Sequence, residues 1–243
     1  MNKDIQPFSL QPDIIHVWVF SLVEPDFEYP MWVQSLSEEE RDRSKQYKFE
    51  IDRLRFVARR GLLRQLLAKY CGTAPGEIVY KTNQFGKLSL PSKSICFNLS
   101  ASQNKIAIAF TPQNEVGVDI EKVHSLPELS CIAETRFSSV ESARLFTLAP
   151  EKQLDGFYHV WTQKEAFVKA RGEGLSLPLD NFSVEVDPDV PGGIQTIKGG
   201  VEEVSAWKMY TKVSEPGWRL AVCVQAEFEQ DVHLYMPASV DFI

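Results

Sequence analysis

The sequence predicts an α+β chain built as two mixed halves, residues 1–112 and 113–243. Three observations carry that expectation. The composition, 44% hydrophobic and 24% charged over 243 residues, is that of an ordinary globular chain, long enough for one large domain or two small ones sharing an interface. Two helical patterns, one closing at Cys71-Gly72 and one at Arg171-Gly172, fall one in each half. Each is accompanied by short β-rich runs bounded by turn residues.

In the first half, Ile14–Phe20 (IIHVWVF) reads as a buried strand, with His16 a core histidine. Ser37-Glu-Glu-Glu40 is a capping-box pattern that starts a helix. The next helical stretch presents Phe56, Leu63, Leu66, Leu67 and Tyr70 as an apolar stripe, and Gly72 closes it. Ile78–Tyr80 reads as a short strand and Asn83–Gly86 as a turn. Ile95–Leu99 and Lys105–Phe110 read as strands joined by the polar turn 100–104. Thr111–Glu115 (TPQNE) is the candidate linker. The second half continues with a strand over 116–121, helical regions over 126–135 and 139–148, and a helix over Leu154–Arg171 stopped by Gly172 and Gly174. Antiparallel β signals follow at 182–186, 206–213 and 218–226, with turns at Pro191-Gly-Gly193 and Pro216-Gly217. No sequence repeat and no low-complexity tract is visible.

Composition narrows the function. A net charge of −7 argues against a general nucleic-acid binder. No run approaches the roughly twenty apolar residues of a membrane helix, and the N-terminus lacks a signal-peptide core. The four cysteines are scattered without a CxxC pair, as expected of reduced thiols in a cytoplasmic protein and not of a zinc site or disulfide framework. Basic residues concentrate between Arg41 and Lys69, a distribution suited to a small anion or an acidic partner surface, or simply to a solvated helix face.

The strand Val116–Glu121 carries the chemistry. Val116, Val118 and Ile120 point one way; Gly117, Asp119 and Glu121 point the other. Asp119 and Glu121 thus stand on one face, roughly 6–7 Å apart along the backbone. Like charges there repel and aspartate is depleted in strands, a conflict that a bridging divalent cation removes. On the helix that follows, Trp161, Glu165 and Lys169 share a face at i, i+4 and i+8. Read as a surface ion pair, Glu165 and Lys169 contribute about 0.3–0.5 kcal/mol. Read with Asp119 and Glu121, Glu165 completes a set of three oxygen donors suited to Mg²⁺.

These residues also carry a resemblance. Phe97–Ser102 (FNLSAS), Gly117–Glu121 (GVDIE) and Trp161–Lys169 (WTQKEAFVK), running into Gly172–Leu179 (GEGLSLPL), resemble the Sfp-type 4′-phosphopantetheinyl transferases over nearly the whole chain. The resemblance implies a pseudo-dimer of two similar α/β halves with the active site in the cleft between them. It implies transfer of 4′-phosphopantetheine from coenzyme A to a serine of an apo acyl or peptidyl carrier protein, with Mg²⁺ and release of adenosine 3′,5′-bisphosphate. By position, Asp119, Glu121 and Glu165 match the metal-binding carboxylates, and Lys169 matches a lysine on the coenzyme phosphates. Arg43, Arg55 and Lys87 match basic residues at the nucleotide end, and Ser100 matches a serine near the 3′-phosphate. Glu165 is also the candidate base, and Arg136 and Phe137 lie where a carrier would dock. One departure stands out: Ala101 occupies a position where the family has histidine. A monomer is expected, because both halves of the cleft come from one chain. Two other readings share the residues. A Mg²⁺-dependent nucleotide pyrophosphatase would hydrolyse the diphosphate with no carrier present, and a non-enzymatic carrier- or coenzyme-binding module would fit Ala101.

Overall fold

The two halves repeat one topology. The structure is a computed structural model that describes residues 8–22, 30–92, 94–198 and 201–238. The first half runs β1 (Ile14–Ser21), α1 (Pro30–Ser35), α2 (Glu38–Ser44), α3 (Glu50–Cys71), β2 (Lys81–Thr82), β3 (Leu88–Ser89), β4 (Cys96–Ser102) and β5 (Lys105–Thr111). The second runs β6 (Val116–Lys122), α4 (Leu129–Arg136), α5 (Ser139–Thr147), α6 (Pro150–Arg171), β7 (Phe182–Val184), β8 (Ile194–Ile197), α7 (Val201–Ser205), β9 (Trp207–Val213), β10 (Trp218–Gln225) and β11 (Asp231–Tyr235). In each half the opening strand pairs antiparallel with the second strand of the closing hairpin, giving the orders β1-β5-β4 and β6-β10-β9. In each, a 22-residue helix ends on a left-handed glycine, Gly72 at φ 66° and Gly172 at φ 68°. The last strand, β11, returns to the first half and pairs parallel with β1.

Alternation along the strands sets the layers. Ile15, Val17 and Val19 of β1 and Ala107 and Ala109 of β5 pack against Val116, Val118 and Ile120 of β6 and Leu220, Val222 and Val224 of β10. The opposite face of the first sheet gives Trp18, Phe20, Ile106, Ile108 and Phe110 to a core with α3. The opposite face of the second gives Ala221, Cys223 and Met209 to a core with α6. The order through the molecule is therefore helix, sheet, sheet, helix. This explains why β1 reads as continuously apolar: it is covered on both faces.

The expected helix ends hold within a few residues. Ser37 and Ser138 each form a capping box, with Glu40 and Glu141. The helix expected from Leu154 begins at Pro150, which sits in its first turn, where the missing N–H costs nothing. The strand expected at 78–80 is displaced: a single 3₁₀ turn covers Pro75–Glu77, and pairing begins only at Lys81.

His159 lies inside α6, buried, with both ring nitrogens unpartnered. Burial, chiefly, and the nearby Arg219 guanidinium push its pKa from 6.5 down to about 4. The folded state therefore refuses a proton that the unfolded chain accepts. Stability is complete above the unfolded value and is lost as pH falls from 6.5 towards 4. Between pH 7 and pH 5 the expected loss is about 2 kcal/mol. Urea melts at the two pH values check this; His159→Phe should flatten the difference, and an unchanged pH dependence in that variant would contradict it.

Candidate active site

The site grows from one close approach. Gly117 of β6 faces α6 so closely that a Cβ there would overlap the Ala166 carbonyl oxygen and the Ala170 nitrogen. The glycine lets α6 settle directly on the strand. The side chains next along β6, Asp119 and Glu121, then meet Glu165 and Lys169 of the helix. Strand β4 of the first half runs beside β6 and locks the register: Asn98 Oδ1 accepts from the Val118 amide at 3.0 Å.

Asp119 is the buried centre. Its Oδ1 accepts from Lys169 Nζ at 2.6 Å and from Ser100 Oγ at 2.8 Å, and Lys169 Nζ also reaches Ser100 Oγ at 2.9 Å. Its Oδ2 is buried with no partner. Ser102 Oγ donates to Glu121 Oε2 at 2.7 Å. Two serines of the first half thus hold two carboxylates of the second. Burial pushes all three carboxyls upward: Asp119 against the pull of Lys169 and Ser100, Glu121 with added repulsion from Asp119, and Glu165 against the pull of Lys169. Three carboxylates share one ammonium, so the group is short of positive charge. Among the described residues no three His, Cys, Asp or Glu side chains close on one point as a finished metal cage. Lys169 occupies the near oxygen of Asp119 instead.

Two cavities share walls beside this centre, and one of them reaches it. One, of about 320 Å³, is walled by Glu165 and Lys169 together with Phe85, Leu99, Arg136 and Pro178. The other, of about 290 Å³, is walled by Arg43, Arg59, Arg60, Tyr47 and Phe97. They share Gly86, Lys87, Asn98 and Leu99. Arg55 stands apart, beside Ala101 in a third hollow.

The residues expected at the nucleotide end are therefore spread differently from one another. Arg43 lies in the basic cavity with its guanidinium 5.6 Å from the centre of the Phe56 ring. Lys87 walls both main cavities, but its ammonium is held by Glu115 at 2.6 Å and by the Ala170 carbonyl at 2.7 Å. That carbonyl belongs to the last turn of α6, where a cation is favoured. Ser100 stands with Asp119 and Lys169, so its hydroxyl serves the carboxylate centre. Sequence reasoning missed Asn98 and Ser102. The signal was present in β4, where polar residues alternate at 98, 100 and 102 and all face β6.

The family model described as the 4′-phosphopantetheinyl transferase superfamily matches residues 115–223. The chain is 30% identical to the 4′-phosphopantetheinyl transferase HetI of Nostoc sp. over 220 residues, 89% of this chain and 90% of that protein. It is 32% identical to the 4′-phosphopantetheinyl transferase Sfp of Bacillus subtilis over 199 residues, 81% of this chain and 86% of that protein. Among solved structures, the holo-[acyl-carrier-protein] synthase of Thermotoga maritima aligns at 19% identity with a TM-score of 0.36, covering 47% of this chain and 64% of that one.

Proposed function

The chain belongs to the 4′-phosphopantetheinyl transferase superfamily, and on that premise we propose that it moves the 4′-phosphopantetheine of coenzyme A onto a serine hydroxyl of an apo carrier protein. Adenosine 3′,5′-bisphosphate is the other product. The observation that carries the reading is the pair of adjoining cavities, one basic and one leading past apolar walls to Glu165 and Lys169. A ligand with a polyanionic nucleotide at one end and a long neutral arm at the other suits that division.

Asp119, Glu121 and Glu165 would hold Mg²⁺. They fit it: the donors are hard oxygens, one Asp119 oxygen is buried without a partner, and one lysine cannot balance three carboxylates. Bound there, the ion would supply charge neutralisation to the diphosphate oxygens. The chain's own groups do the rest. Lys169 faces negative charge gathering on the diphosphate. Arg43, Arg55 and Lys87 orient the nucleotide end. Glu165, its carboxyl pushed up by burial, takes the serine proton as the oxygen attacks the phosphorus bearing the pantetheine arm and the bond to the nucleotide phosphate breaks. Arg136, on the rim of the reacting cavity, meets the acidic carrier. Both walls come from one chain, which supports a monomer. Among the described residues no helix is long and apolar enough to cross a membrane.

The test is mass spectrometry of apo-carriers incubated with the protein, coenzyme A and Mg²⁺. A shift by one phosphopantetheine arm is expected. Steady release of adenosine bisphosphate without a carrier would overturn transfer in favour of hydrolysis.

A further inference from the structure

The turn over residues 83–87, at the tip of the β2–β3 hairpin, is held together and held in place by one side chain. The Asn83 N–H donates to the Lys87 carbonyl and its C=O accepts from the Gly86 amide, each at 3.0 Å. Its side-chain Oδ1 accepts from the Phe85 amide at 2.9 Å and the Lys87 amide at 3.0 Å. Those two amides fix the orientation of the carboxamide, because an N–H can bond only to its oxygen. Nδ2 is thereby turned away from the hairpin, and it donates to the Gly172 carbonyl at 2.8 Å. Gly172 is the left-handed residue that ends α6, the helix of Glu165 and Lys169. Carbonyls at the end of a helix have no partner within it. Here the other half of the molecule supplies them: Asn83 bonds the Gly172 carbonyl and Lys87 the Ala170 carbonyl. The fit is close, since a Cβ on Gly172 would lie 2.8 Å from Lys87 Cδ and 3.3 Å from Asn83 Nδ2.

Phe85, Gly86 and Lys87 of this turn wall the cavity that reaches Glu165 and Lys169, and Gly86 and Lys87 wall the basic cavity as well. The turn is braced within itself, so its tie to α6 decides where it stands. Lys169, by contrast, is held by Asp119 and Ser100. Losing the tie therefore shifts a wall of both cavities and leaves the reacting groups in place.

Resting on the reading of coenzyme A as the substrate, we propose that Asn83 is a positioning residue. Its bond to the Gly172 carbonyl holds the turn of the first half against the end of α6, and so sets the shape of the cleft before the coenzyme enters it.

Calorimetry with coenzyme A and Mg²⁺, beside steady-state kinetics of the full chain, tests this with two variants. Asn83→Asp keeps an acceptor for the Phe85 and Lys87 amides but sets an oxygen against the Gly172 carbonyl. Asn83→Ala loses the side-chain bonds of the turn as well. Both should bind coenzyme A about tenfold more weakly, the upper size of one neutral hydrogen bond. KM for coenzyme A should rise alike, while kcat and KM for the carrier stay within about twofold of wild type. Wild-type affinity in Asn83→Asp, with a loss only in Asn83→Ala, would overturn the tie and leave Asn83 a turn residue. A parallel fall in kcat, affinity and melting midpoint would overturn it too, as the mark of a general structural contact. The reading it rests on fails separately: an unmodified carrier alongside an Asn83-dependent affinity for coenzyme A would sink the transferase and leave the tie standing. No binding of coenzyme A by the wild type would overturn both.

Discussion

Asp119→Ala is expected to abolish carrier modification, lowering the rate about 10³-fold or more, while the protein still unfolds cooperatively near the wild-type temperature. A loss of that size corresponds to about 4 kcal/mol of transition-state stabilisation, the scale of removing one preorganised electrostatic contact from a site. The fold should tolerate the change for a specific reason. Burial already disfavours the Asp119 carboxylate, and its partner Lys169 keeps 27% of its side chain exposed, so the ammonium left behind can reach water. Ser100, the other partner, still has Lys169. Carrier mass shift under saturating coenzyme A and Mg²⁺, read beside a thermal melt, separates the two effects. Near-wild-type turnover would remove the carboxylate centre from the mechanism.

The opposite pattern is expected at Lys164, on the far side of the same helix. Its side chain is 0% exposed and that of its partner Glu141 is 1% exposed, with the charged atoms 2.8 Å apart. Lys164 Nζ also donates to the Leu179 and Phe182 carbonyls, each at 2.7 Å, and sits 4.3 Å from the centre of the Phe182 ring. Glu141 accepts from the Ser138 and Val184 amides. Lys164→Ala strands a buried carboxylate and two carbonyls, at a cost of about 3–5 kcal/mol. For a chain of this length the midpoint should fall by roughly 6–20 °C. The variant should remain an active transferase at low temperature, because Lys164 makes no hydrogen bond or ion pair with Asp119, Glu121, Glu165 or Lys169 and reaches the cavity wall only through the Leu179 carbonyl. A melt within a degree or two of wild type would show that the pair is not a structural tie.

Much of this was legible in the chain. The alternation in Val116–Glu121 placed Asp119 and Glu121 on one face, and the helix period placed Glu165 beside Lys169; both are local consequences of backbone geometry. The helix-closing glycines were legible for the same reason. What could not be read was contact between distant segments. Ser102 gripping Glu121 depends on β4 lying beside β6, which no local rule dictates. The capture of Lys87 by Glu115 depends on where the end of α6 falls. β11 was missed because Asp231–Tyr235 is short and partly exposed, with its pairing strand more than two hundred residues upstream.

The duplicated topology also explains why the acidic constellation occurs once. The positions of β1 that face its own helix are His16, Trp18 and Phe20, where β6 has Gly117, Asp119 and Glu121. In one copy these seats are filled with rings and ligand chemistry is forfeited for cohesion; in the other they stay acidic. The symmetry of the backbone is thus broken in the side chains, rings lining one helix–strand seam and carboxylates the other.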